Sequence, residues 1–113
     1  MGESGYYVHL VGQDAMRFTD ILTKALLFQE REAKSRTQHE FTYQGRRYVG
    51  VRISFEELEI IKRFQEKHAF SIEIFLFDEF KGKIQSSIYR LHLQTPIWFL
   101  TPLSVVQELK NFS

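Results

Sequence analysis

The stretch His39-Glu-Phe-Thr-Tyr-Gln-Gly-Arg-Arg-Tyr-Val-Gly-Val-Arg-Ile53 decides the fold. Two runs rich in aromatic and β-branched residues flank Gln44-Gly45. A glycine at the second turn position supplies the positive φ that a tight two-residue turn needs, so the stretch reads as a β-hairpin. The turn then sets the register: Tyr43 faces Arg46, and Phe41 faces Tyr48. One side of the hairpin carries Phe41, Tyr43, Arg46, Tyr48, Gly50 and Arg52. The other carries Glu40, Thr42, Arg47, Val49, Val51 and Ile53. Val49, Val51 and Ile53 mark that second side as the core face beneath helices. The first side is then an outer face, both aromatic and basic.

Towards the N-terminus, Tyr6 to Val11 reads as a strand ending at Gly12. Asp14 is a suitable N-cap for a helix from Ala15 to about Phe28, with Phe18, Ile21, Leu22, Ala25 and Phe28 at helical spacing. Residues 1–5 read as a flexible polar lead, and Gln29 to Gln38 as either a helix end or a loop. Downstream, Ser54-Phe-Glu-Glu57 is a capping box: Ser54 is the N-cap and Glu57 the third helical residue, and Ile53 and Leu58 are placed as a hydrophobic staple. A second helix follows, from Phe55 to about His68. Leu58, Ile61, Phe64 and His68 share one face, and Glu59 can pair with Arg63.

Ser71 to Phe77 alternates as a strand, with Ile72, Ile74 and Leu76 opposite Glu73, Phe75 and Phe77. Asp78 to Lys83 reads as a loop, and Ile84 to Gln94 as the return strand. Thr95-Pro96 breaks it, and Ile97-Trp-Phe-Leu100 reads as an extended apolar piece against the core. Thr101 as cap and Pro102 at the first position open a short last helix with Val106, Leu109 and Phe112 on its apolar side.

The expected class is therefore α+β: a β-α-β-β-α-β-β antiparallel or mixed sheet with two helices on one face, plus a short C-terminal helix. The order is ferredoxin-like. The chain of 113 residues suits a single domain over residues 1–113. No repeat or linker interrupts it. A topological likeness of this kind carries no function by itself.

Composition narrows the function classes. There is no cysteine, which removes disulfides, thiolate nucleophiles and cysteine-bound zinc and fits a reducing compartment. The first residues lack the basic and apolar regions of a signal peptide, and no apolar run is long enough to cross a bilayer, so the expectation is a cytoplasmic protein with no membrane contact. A formal net charge of +1 gives no whole-chain field towards nucleic acid. Locally the charge is split. Lys34 to Arg52 holds five bases and one acid, whereas Ser54 to Phe80 holds seven acids and three bases. A chain divided this way can dock an acidic partner or pair with itself head to tail, although charged residues also simply solvate helix faces.

Catalytic patterns are missing. Of His9, His39, His68 and His92, none has the spacing to glutamate used by zinc proteases. His9 and His92 lie on expected strands and could meet for acid–base work on a phosphodiester, yet neither is followed by the supporting hydroxyl two residues on. No glycine-rich run precedes a helix. Glu30, Glu32, Asp78 and Glu79 have no ligand spacing, and Glu73 with Lys81 and Lys83 lacks a second carboxylate. No metal or cofactor is expected.

The candidate binding surface is the outer hairpin face: Phe41, Tyr43, Arg46, Arg47, Tyr48 and Arg52, with Trp98 on the Pro96–Phe99 edge. The leading expectation is a non-catalytic protein-interaction module (an adaptor, inhibitor or accessory protein) binding another protein through that face, or forming a homodimer. The alternative is a single-stranded nucleic-acid binder, with rings stacking on bases and arginines on phosphates. Arg47-Tyr48-Val49-Gly50-Val51 shares part of the RNP1 pattern but places Gly50 where a second stacking aromatic would stand. A small phosphodiesterase using His9 and His92 comes third. The discriminating quantity is the exposure of Phe41, Tyr43 and Tyr48. They are either open, or covered by Trp98, Phe99 and the last helix, or by a second subunit.

Overall fold

Gln44 and Gly45 both adopt positive φ, 52° and 76°, which defines a type I′ turn whose twist suits the flanking strands. The computed structural model describes residues 5–29, 36–78, 82–84 and 95–111. Strands β2 (Gln38–Tyr43) and β3 (Arg46–Ile53) form the expected hairpin, with Tyr43 opposite Arg46 and Phe41 opposite Tyr48. The remaining elements are β1 (Gly5–Val11), α1 (Ala15–Lys24), α2 (Phe55–Gln65), β4 (Ser71–Asp78), β5 (Gly82–Ile84), β6 (Ile97–Pro102) and α3 (Leu103–Lys110). A π-helical turn, Ala25–Gln29, prolongs α1. Gly5 belongs to β1 rather than to the lead. The expected return strand is described only as β5, which starts at Gly82; residues 85–94, and His92 with them, lie outside the described residues.

The six strands form one mixed sheet in the order β2-β3-β6-β1-β4-β5. The α+β class stands, but the ferredoxin-like neighbour order does not. Ile97 to Leu100 belongs to a strand, β6, and that strand is inserted at the centre. It runs parallel to β1 and antiparallel to β3. Every residue of β6 is buried, as its unbroken apolar run requires of a strand covered on both faces.

Local chemistry explains the helices. In α2 the capping box is complete: Ser54 Oγ accepts from Glu57 N, and Glu57 Oε1 accepts from Ser54 N. Ile53 and Leu58 enter the same core. Glu59 pairs with Lys62 at 3.3 Å rather than with Arg63. Asp14 does not cap α1 with its side chain. Its carboxylate instead accepts Ala69 N–H at 3.0 Å while its own N–H donates to Ala69 O at 2.9 Å, which ties the start of α1 to the chain beyond α2. Thr101 does not cap α3 either; it lies fully buried in β6, and α3 starts at Leu103.

The core has two parts on opposite faces of the sheet. The first joins Val8, Leu10, Val49, Val51, Ile53, Ile97 and Phe99 to Phe18, Leu58, Ile61 and Val106 of the helices. Within α1 the buried stripe is Ala15, Phe18, Thr19 and Thr23, and Ile21 faces outward. Thr23 is tolerated there because its hydroxyl donates to Thr19 O at 2.6 Å. The second part is the aromatic cluster of Tyr7, Phe41, Tyr43, Tyr48, Phe75, Trp98 and Leu100.

Candidate functional site

The aromatic face does not form an open platform. None of Tyr7, Phe41, Tyr43, Tyr48, Phe75 and Trp98 is more than 7% exposed. Contacts between distant strands give the reason. Tyr7 on β1 stacks on Phe41 of β2 at a centroid distance of 4.3 Å, and Tyr43 of β2 stacks on Phe75 of β4 at 4.9 Å. In a flat sheet β2 would lie about 14 Å from β1 and about 19 Å from β4, at the usual strand spacing. The sheet therefore curls, and the hairpin arches back over β1 and β4 with the rings inside. Trp98 is part of this interior, whereas Phe99 and Val106 of α3 belong to the helical side.

Two polar contacts span the curl. Tyr43 OH donates to Glu73 Oε1 at 2.8 Å. Tyr7 OH lies 3.0 Å from His39 Nε2, and His39 Nδ1 lies 3.0 Å from Glu40 O. The tautomer that satisfies both has Nδ1–H donating to the carbonyl and Nε2 accepting from the phenol. The His39 ring stands edge-on to Trp98 at 4.4 Å and occupies the space over Gly50. Gly50, which spoils the stacking pattern in the sequence, is the position that admits this ring.

The arginines of the expected surface are exposed, but no open rings accompany them. Arg46 lies over the Tyr48 ring at 5.8 Å, Arg52 over Trp98 at 5.5 Å, and Arg47 pairs with Glu40. Base stacking on Phe41, Tyr43 or Tyr48 is closed off in this conformation.

Of the histidines, His9 pairs with Glu73 across β1 and β4, with Nδ1 3.9 Å from Oε1, and its ring meets Tyr43 and Tyr48 edge-on. The His9–His92 arrangement lies outside the described residues. Among the described residues no group of three or more His, Asp or Glu side chains could hold a metal ion, and no helix is long and apolar enough to cross a membrane.

The surface feature that sequence spacing did not reveal is on the helices. Among the described residues the exposed large hydrophobics are Met16 (52%), Ile21 (49%), Phe55 (37%), Ile60 (47%) and Phe64 (40%), all on α1 and α2. Phe64 was expected on the core face of α2; that face is set by Leu58 and Ile61, and Phe64 sits at its margin. An open groove of 410 Å³ runs along the end of α2, lined by Ile60, Arg63, Phe64, Glu66, Lys67 and His68. Behind it Phe18 contacts Phe64, His68 and Phe70 at centroid distances of 6.1, 4.4 and 5.1 Å. A signal was present: apolar residues at 58, 60, 61 and 64 make a stripe wider than one buried face needs.

No family model matches the chain, and no curated protein or solved structure matches it.

Proposed function

We propose that this chain is a non-catalytic protein-interaction module that docks its partner through the α1–α2 helical layer and not through the sheet. One observation carries the reading: the exposed large hydrophobics among the described residues all lie on two adjoining helices, while the aromatic sheet face is consumed in the interior. Single exposed apolar residues need no explanation, but Ile60 and Phe64 sit side by side on α2 and line one groove, and an exposed apolar patch of this kind is a usual mark of an interface. Arg63 and Lys67 at the groove rim give it polarity, so that register and orientation can be read as well as apolar area.

The test compares two surfaces in the native cell. Ile60→Asp with Phe64→Asp disables the helical surface; Arg46→Glu with Arg52→Glu disables the sheet side. All four positions are exposed, but Phe64 meets Phe18 and the arginines lie over Tyr48 and Trp98. Each change therefore costs about 1 kcal/mol, and a denaturation midpoint for each variant checks that the fold is retained. Loss of a specific, mass-spectrometrically identified partner in the helical variant, and its retention in the arginine variant, is the expected result. Retention in both overturns the proposal.

A further inference from the structure

Helix α2 is polarised along its axis. Glu56, Glu57 and Glu59 occupy its first half; Lys62, Arg63 and, just beyond its end, Lys67 occupy the other. Glu57 is engaged by Arg36 and Glu59 by Lys62. Exposed Glu56 is thus left at one end, and exposed Arg63 and Lys67 at the other, none in an ion pair among the described residues. Glu66 is also exposed at the basic end. Positions 56, 60, 63 and 67 recur at spacings of four, three and four, so Glu56, Ile60, Arg63 and Lys67 share one stripe, opposite the buried Leu58 and Ile61. The helix dipole favours acids at the start and bases at the end. It gives no reason for an exposed Ile60 between them, flanked by Phe64.

We propose that the occupant of this stripe is a second copy of the chain, with the two α2 helices packed antiparallel about a two-fold axis. This rests on the reading of the helical layer as the docking surface. A two-fold contact uses the same patch on both copies, so the patch must be self-complementary. With the crossing centred between Ile60 and Arg63, Ile60 of each copy lies under the aliphatic stem of Arg63 of the other near the centre, and Glu56 of each faces Lys67 of the other. Two apolar residues are covered and two charge pairs form by one symmetry operation. Parallel packing would set Glu56 against Glu56 and Lys67 against Lys67, which the charges forbid.

Sedimentation equilibrium on the full chain from about 5 to 500 μM measures the dimer, which added salt weakens because the end pairs are exposed. Glu56→Lys and Lys67→Glu each create two like-charge pairs and raise the dimer Kd by about tenfold. Mixing the two variants restores association, because every end pair in the mixed dimer is again of opposite sign. The double variant recovers it too. A monomer throughout the range, single variants that dimerise like the parent, or a mixture that fails to recover overturns the homodimer. A monomeric result leaves the interaction module to stand or fall on the Ile60 and Phe64 capture experiment, so the two failures are separable.

Discussion

Tyr43 on β2 donates a 2.8 Å hydrogen bond to Glu73 on β4, although four strand steps separate β2 from β4 in the sheet. Such a bond exists only if the sheet is strongly curled. The curl turns an apparent binding face into a second core, and it leaves the helices as the side on which exposed apolar residues gather. The rings reinforce it: each stacked pair adds about 0.5–1.5 kcal/mol beyond its buried area.

Removing the closing contact tests the curl. Tyr43→Phe keeps the ring and loses the hydroxyl, at a cost of about 1–3 kcal/mol for a hydrogen bond to a charged acceptor. Tyr43→Ala also opens the aromatic cluster and costs about 3–5 kcal/mol. Arg47→Ala, exposed on the next strand, stays within about 0.5 kcal/mol. Chemical denaturation ranks the three; equal midpoints for Tyr43→Ala and Arg47→Ala would contradict an interior Tyr43.

Gly50 is held small by a neighbour. A Cβ there would stand 3.1 Å from His39 Nε2 and 3.5 Å from Trp98 Cβ. Gly50→Ala is expected to cost about 1–3 kcal/mol by overpacking. In a His39→Ala background the clash disappears and the penalty shrinks. A double-mutant cycle reads that coupling directly, and additive effects would show that His39 does not fill this space.

The turn offers a purely conformational test. Nothing lies within 4 Å of a Cβ built on Gly45, yet its φ is 76°. Gly45→Ala should therefore cost about 1–2 kcal/mol from backbone strain without any clash. Gln44→Asn places at φ 52° a residue several-fold enriched there, and should stabilise the hairpin. Thermal unfolding with opposite shifts for the two variants is the expected outcome.

Stability should depend on Glu57 in acid. Burial raises its carboxyl pKa, but the bonds from Arg36 and Ser54 and the Arg36 charge outweigh that, and the net shift is downward. A depressed folded-state value means the unfolded chain takes up the proton first. The contribution is then fully present above the ordinary carboxylate range, about pH 4.3 for glutamate, and is lost as pH falls through the lower folded value. Glu57→Gln should flatten the acid limb of the stability–pH curve; an unchanged limb would remove Glu57 as its cause.

Much of the fold is legible residue by residue. Gln44-Gly45 sets the hairpin register, Ser54-Phe-Glu-Glu57 sets the start of α2, and Val49, Val51 and Ile53 mark the face that helices cover. These are local rules: turn geometry, reciprocal capping and alternation act over two to five residues and need no knowledge of the rest of the chain. The place of Ile97 to Pro102 was not legible. An unbroken apolar run reports burial on both faces but not which strands lie beside it.

The same boundary divides the candidate site. The sequence by itself determined which side chains share the outer face of the hairpin, and that α2 begins acidic and ends basic. Only the tertiary structure decided that Phe41, Tyr43 and Tyr48 turn inward on Tyr7 and Phe75, and that Ile60 and Phe64 remain outside. The reason is physical. Alternation assigns a residue to a face, but the curl that makes one face concave arises from contacts between strands more than thirty residues apart, such as Tyr7 with His39 and with Phe41.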